Sequence, residues 1–324
     1  MFDTFLDFLV PFSGAMLGAV SQGVLWGIMA LGVYITFKIL DFADMTVDGS
    51  FALGGCVCAL LIVRGVNPLL AVLVATVAGS IAGLVTGFLT TKFKIPGILA
   101  GILVQLALYS INLHVLGGPN QPLTRVHTTI MDWINKAFNL SEFFPYSATS
   151  VSSLITGIIF TGAAIAILYW FFGTELGSAI RSTGDNAAMS RAQGINTNFN
   201  IVLGLMISNG LVALASALCS QYQGFADINM GRGAIVIGLA AVIIGKVVFE
   251  KVFHNFALKL LSVVLGAVIY YAVLQVVIWF GLDTDLLKLL SALVVALFLA
   301  LPYWKKKYIV KPVKRGGVQN VGSK

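Results

Sequence analysis

The sequence predicts an all-α, polytopic helical membrane protein of about nine transmembrane segments (eight to ten). Three observations predict it. Of 324 residues, 58% are hydrophobic and 10% charged, and mean hydropathy is +0.96; a soluble domain carries about 25% charged residues. Apolar runs of about 20 residues, enough to cross the hydrocarbon as a helix, fill nearly the whole chain. The alternating ten-residue segments of a membrane β-barrel do not occur in it.

The runs fall near 15–37, 50–63, 69–91, 96–116, 152–173, 199–222, 233–249, 257–281 and 286–304. Ahead of the first, Phe2, Phe5, Leu6 and Leu9 share one helical face, which fits an interfacial helix or a frayed end. Asp3 and Asp7 stand where a signal peptide would carry Lys or Arg. The run 50–63 is short; it either re-enters or borrows residues from 45 onward to span. Residues 1–305 thus read as one transmembrane domain, with a long outer loop at 117–150 and a long inner loop at 174–198. A basic tail, 306–324, follows.

Lys and Arg set the orientation. With nine crossings and a cytoplasmic C-terminus, the inside holds Lys38, Lys92, Lys94, Arg181, Arg191, Lys246, Lys251, Lys259, Lys305 and the tail. The outside holds Arg64, Arg125, Lys136, Arg232 and Lys288. The tail accounts for most of the net charge of +7. Beside a bilayer it reads as a stop-transfer anchor on anionic lipid, not a nucleic-acid site.

Small residues at a spacing of four recur: Gly79, Gly83 and Gly87, Gly14 with Gly18, and Gly97 with Gly101. They let helix backbones approach closely in lipid. Cys56, Cys58 and Cys219 lie in apolar runs and read as small packing residues. His114, His127 and His254 are far apart and make no metal-binding pattern.

Two polar sites interrupt the apolar pattern. Residues 42–54 read FADMTVDGSFALG and residues 225–238 read FADINMGRGAIVIG. On the nine-span topology the first follows an inward crossing and the second an outward one. Inverted repeats with broken helices flank substrate paths in many transporters. Backbone freed at such a break must line a cavity or pack on protein. Phe42, Asp44, Asp48, Ser50, Phe51, Gln105, Asn209, Tyr222, Asp227 and Asn229 are therefore the path or gate candidates. Asp48 alone also reads as a cap for the helix that starts at Gly49-Ser50-Phe51. Gln105, Asn112, Ser208, Asn209 and Gln275 lie inside spans, where interhelical hydrogen bonding is the simpler role.

The inner loop reads GSAIRSTGDNAAMSRAQGINTN over 177–198. Asp185 is placed to cap a short helix from Asn186 to Gln193 that stops at Gly194. Helix formers with a Gly stop describe a docking element better than a flexible connector.

The segment LGSAIRSTGDNAAMSRAQGIN resembles the cytoplasmic coupling segment of ABC importer membrane subunits, in the family of branched-chain amino acid and ribose permeases. Leu176, Gly177, Ala179, Arg181, Gly184, Asp185, Asn186, Ala192, Gly194, Ile195 and Asn196 carry the match. Ser182-Thr183 departs from it, where Ala is more usual. The stretch DMTVDGSFALGG resembles the tryptophan/tyrosine-type subgroup more than the ribose permeases. The resemblance implies a type II-like permease fold in a bacterial inner membrane. It further implies a homodimer, two cytoplasmic ATPase subunits carrying ATP-Mg, and an extracytoplasmic solute-binding protein. Coupling would fall to Gly177, Arg181, Gly184, Asp185, Asn186, Arg191 and Gly194. The chain itself shows no Walker A sequence: between Gly238 and Lys246 the glycine spacing is wrong and no Ser or Thr follows the Lys. It is thus expected to be no enzyme and to hold no cofactor. The cargo expected is a small solute, an aromatic amino acid in the narrowest reading, with a sugar or nucleoside as the alternative. An ion-coupled secondary transporter using Asp44, Asp48 and Asp227 is the competing mechanism.

Overall fold

The computed structural model describes residues 2–123, 128–143, 147–250, 252–253, 255–281 and 286–304. The basic tail 306–324, His127 and His254 lie outside the described residues.

Helix α1 (Phe2–Tyr34) is closed by a π turn (Ile35–Ile39). The first residues thus continue into the first span, and no separate interfacial helix forms. Then come α2 (Thr46–Val63), α3 (Pro68–Thr91) and α4 (Gly97–Leu116). The short run at 50–63 does borrow upstream residues: α2 starts at Thr46 and is long enough to span. Asn67 caps α3 by accepting from the Leu69 N–H, with Pro68 at the first helical position.

The long loop after α4 holds β1 (Asn120–Pro122), α5 (Ile130–Phe138) and α6 (Leu140–Phe143). A capping box between Thr129 and Asp132 starts α5. The Ile130 N–H donates to Gln221 Oε1 at 2.9 Å, which ties this helix to the bundle. After α7 (Ala148–Phe172) come α8 (Glu175–Asp185), α9 (Ala187–Ala192), α10 (Thr197–Gln223), β2 (Phe225–Asp227), α11 (Ala234–Phe249), α12 (Phe256–Trp279) and α13 (Leu287–Trp304). Among the described residues, 7 helices are long and apolar enough to cross a membrane; α11, at 16 residues, is shorter.

Helix α10 is central and packs on α1, α2 and α3. The Gly79, Gly83 and Gly87 stripe seats α3 on it: a Cβ at these positions would run into Asn209 and Ala213, Leu205, and Val202. Gly97 and Gly101 seat α4 on Phe42 and Met45 in the same way, whereas Gly14 has nothing within 4 Å. Cys56, Cys58 and Cys219 are free and buried.

The two ends of the bundle differ. One carries α8 and α9 together with Lys38, Lys246 and Lys259, which line a common cavity with Tyr34. The other carries α5 and the β1–β2 pair, an antiparallel match of Asn120 with Asp227 and Pro122 with Phe225. The second Phe-Ala-Asp copy is therefore a short strand, because the polar loop at 120–122 offers its backbone a partner.

Candidate functional site

The first break runs from Leu40 to Met45, between the π turn and α2. Asp41 takes a left-handed conformation (φ 51°), and the Phe42 N–H donates to Thr36 O at 2.9 Å. Asp44 is fully buried. Its Oδ1 accepts from the Thr46 N–H at 2.9 Å, and its Oδ2 accepts from Asn209 Nδ2 at 2.7 Å. Asn209 Oδ1 in turn accepts from Ser50 Oγ at 2.6 Å. Burial pushes the Asp44 carboxyl above its ordinary value, against hydrogen bonds from Thr46 and Asn209 that hold it down. Three of the path candidates thus form one chain of hydrogen bonds between the break, α2 and α10. Phe42 lies over Gly97. Phe51 is 1% exposed and packs against Trp26, with ring centroids 4.7 Å apart.

The second break enters from the opposite end and descends along α2. Ala226 and Ile228 pack with Cys56 and Ala59, Met230 meets Gly55, and Gly231 meets the Asp48 carbonyl. Ala59 to Asp48 is about 16 Å of helix at 1.5 Å per residue. A turn with Gly233 at φ +86° then starts α11. Asp48 closes this junction: Oδ2 accepts from the Gly233 N–H at 3.1 Å and Oδ1 from the Ile235 N–H at 2.9 Å. It therefore caps α11 and not, as the sequence suggested, its own helix. The reason is that α2 starts earlier, so Asp48 lies inside its first turn and its side chain is free to reach another helix. Asp227 Oδ1 accepts from the Asn229 N–H at 2.6 Å, a turn within its own loop. Tyr222 is half-buried, its hydroxyl beside Gly18.

Where the second break meets α2 and α4, a cavity of about 370 Å³ opens. Asp48, Gln105, Tyr109, Asn112 and Arg232 are in its wall. Arg232 lies over the Tyr109 ring, 5.9 Å from its centroid. Asn112 donates from Nδ2 to Gly49 O at 3.4 Å, while its buried Oδ1 has no partner. Sequence reasoning found Asp48 and Gln105 and noted Asn112. It missed Tyr109, which reads as an ordinary α4 residue, and Arg232, which reads as an outer-loop charge.

At the other end, residues 175–185 form a helix that the sequence reading left as loop. Ile180 is its buried anchor, and Thr174 caps it. Asp185 is the last residue of α8, so the cap of α9 is Asn186, whose Oδ1 accepts from the Ala188 and Met189 N–H groups at 3.1 and 3.0 Å. Gly194 (φ +83°) stops the turn that follows. Ser182 and Ser190 hydroxyls, 2.7 Å apart, clamp α9 to α8. A Cβ on Gly184 would run into the Ile39 carbonyl, and one on Gly177 into the Phe171–Phe172 backbone. Arg181 turns inward, 4.4 Å from the Phe256 ring centroid and 5.3 Å from that of Phe172. Asp185, Met189, Arg191 and Gly194 are exposed.

Residues 15–300 match the family described as the branched-chain amino acid transport system permease component. The tyrosine transport system permease protein of Clostridioides difficile (strain R20291) is 39% identical over 285 residues, 88% of this chain and 90% of that one. An uncharacterized protein of Rickettsia prowazekii (strain Madrid E) is 33% identical over 294 residues, 90% of this chain and 98% of that one. Among solved structures, PsaBC from Streptococcus pneumoniae in complex with Fab matches in fold, with a TM-score of 0.51 at 17% identity. It covers 95% of this chain and 99% of that one. The chain belongs to this family of multi-pass bacterial permease components.

Proposed function

We propose that this family member is the membrane-spanning subunit of an ATP-driven uptake system in the bacterial inner membrane. It works as a homodimer with two cytoplasmic ATPase subunits, which carry ATP-Mg, and an extracytoplasmic solute-binding protein. The cargo is an amino acid, an aromatic one in the narrower reading, in line with the name of the 39% identical relative. The C-terminus and the α8–α9 end then face the cytoplasm, where Lys38, Lys246 and Lys259 follow the positive-inside pattern.

The observation that carries this reading is the seat of Gly184 on the Ile39 carbonyl. Ile39 ends the π turn, and the first break starts at the next residue. A push on α9 passes through α8 to this junction and so to Phe42 and Asp44. ATP binding on the partner shifts the bundle between outward-open and inward-open states only because the two states present α9 differently. Asp185, Asn186, Arg191 and Gly194 meet the ATPase, while Gly177, Arg181 and Gly184 hold α8 to the bundle. Asp44, Ser50 and Asn209 join the gate, and Gln105, Tyr222, Asp227 and Asn229 lie toward the outer side of the path. Phe51 supports it from the core.

The test is reconstitution of the complex with its ATPase and binding protein in proteoliposomes, followed by radiolabelled tyrosine uptake. Uptake that requires internal or external ATP at the ATPase face, and persists with an ionophore, is expected. Uptake driven by an ion gradient without ATP would establish the secondary-transport mechanism instead.

A further inference from the structure

From the cavity between α2, α4 and the second break we infer a contact site for the zwitterionic head of an α-amino acid within the membrane domain itself. The inference rests on the import function proposed above and adds to it a place where cargo is held during passage.

The cavity has a volume of about 370 Å³, large enough for one amino acid. Its wall gathers two opposite polarities that lipid would not stabilise apart from a ligand or each other. Arg232 is exposed and makes no ion pair among the described residues. Its guanidinium is held over the Tyr109 ring instead, which positions a cation without using up its five N–H donors. A planar carboxylate is the group that such a fork binds in two-point fashion. On the other side stand acceptors. Asn112 Oδ1 has no partner, an uncommon state for a buried amide. Asp48 uses each oxygen once, toward Gly233 and Ile235, and so retains a further lone pair on each. Gln105 makes no side-chain hydrogen bond among the described residues, which leaves both a donor and an acceptor to a ligand.

An ammonium on the Asp48–Asn112 side and a carboxylate on Arg232 satisfy these groups together. A neutral sugar would leave the Arg232 guanidinium without a counter-charge. The exposed Leu106 and the Tyr109 ring remain for the cargo side chain, which fits an apolar or aromatic one better than a charged one. Position along the bundle agrees. Gln105 lies about 12 Å along α4 from its α8–α9 end, so the site is within the membrane and on the route from the outer loops to the first break.

The experiment compares Arg232→Gln, Arg232→Lys and Gln105→Leu in the full reconstituted complex, with tyrosine as the probe. Co-purification of the ATPase subunit serves as the check on folding. Arg232→Gln is expected to lower tyrosine uptake at least tenfold while the complex still assembles. Arg232→Lys should recover only part of it, since it restores the charge but not the two-point fork, and Gln105→Leu should raise the half-saturating concentration severalfold. Wild-type uptake that survives unchanged in Arg232→Gln and Gln105→Leu overturns the site and leaves the import function standing. A wild-type complex that carries a sugar and no amino acid overturns both.

Discussion

Asn209, midway along α10, donates a 2.7 Å hydrogen bond to the buried carboxylate of Asp44. The two residues are 165 positions apart, so this bond ties the first break to the helix that leads to the second. Its chemistry explains why a break occurs here at all. A buried carboxyl group inside a membrane domain is tolerated only with partners, and a continuous helix at 40–45 would carry Asp44 away from both Thr46 N–H and Asn209. The broken backbone brings them together.

Asn209→Ala removes the donor and leaves Asp44 buried with one bond fewer. Ordinary interhelical hydrogen bonds in membrane proteins contribute about 0.6 kcal/mol, whereas bonds to charged groups contribute about 1.5–3 kcal/mol. The fully buried carboxyl acceptor, which has no water to replace a lost donor, places this pair above the first figure. A double-mutant cycle of Asp44→Asn and Asn209→Ala, read by thermal unfolding in detergent, should return a coupling above about 1 kcal/mol. A coupling near zero would mean the two side chains do not share a bond.

Gly231 tests the contact between the second break and α2. A Cβ there would run into the Asp48 carbonyl, so Gly231→Ala must push the segment off α2. Such overpacking costs about 1–3 kcal/mol, visible as a lower Tm. Gly14→Ala is the control. Nothing lies within 4 Å of a Cβ at that position, and Ala is favoured over Gly in a helix by up to about 1 kcal/mol. Its Tm should stay or rise. Equal effects from the two substitutions would contradict the close approach at Gly231.

The contrast between these glycines also shows what the sequence reveals and what it conceals. Spacing alone located the Gly79–Gly83–Gly87 stripe, because close packing in lipid needs small residues at helical period. Composition and the length of the apolar runs set the all-α membrane class. The polar pair Asp44 and Asn209 stood out because such residues are costly in an apolar run. Other features depend on tertiary placement. Asp48 looks like a cap for the helix it belongs to, and only the arrival of α11 from 185 residues away gives it another partner. Tyr109 and Arg232 join one cavity through a descent of residues 226–233 along α2 that no local pattern announces. The 175–185 helix was hidden by its Gly and Ser content, which lowers intrinsic propensity; burial of Ile180 and the Thr174 cap override it.

Asp48→Ala should loosen the start of α11. Both Gly233 and Ile235 N–H groups lose their acceptor, and a helix cap of this type contributes about 1–2 kcal/mol. Hydrogen–deuterium exchange should accelerate at residues 233–236 more than in the rest of α11. Asp48→Asn keeps one acceptor oxygen and should give a smaller change in the same amides. Uniform protection across α11 in both variants would show that its N-terminus does not depend on Asp48.

The two arginines of the coupling element should behave in opposite ways, because they point in opposite directions. Arg181 lies over the Phe256 and Phe172 rings, contacts that contribute about 0.5–2 kcal/mol when desolvated. Arg181→Met should therefore lower Tm while the ATPase still co-purifies. Arg191 is exposed, and among the described residues its one side-chain bond is a 3.3 Å donation to Thr197 Oγ1. Arg191→Glu should leave Tm within about 0.5 kcal/mol of equivalent stability but reduce ATPase recovery several-fold, since it reverses a charge on the face proposed to meet the ATPase. Loss of the ATPase from Arg181→Met with an unchanged Tm would place Arg181 at the interface, and the inward packing of α8 would have to be revised.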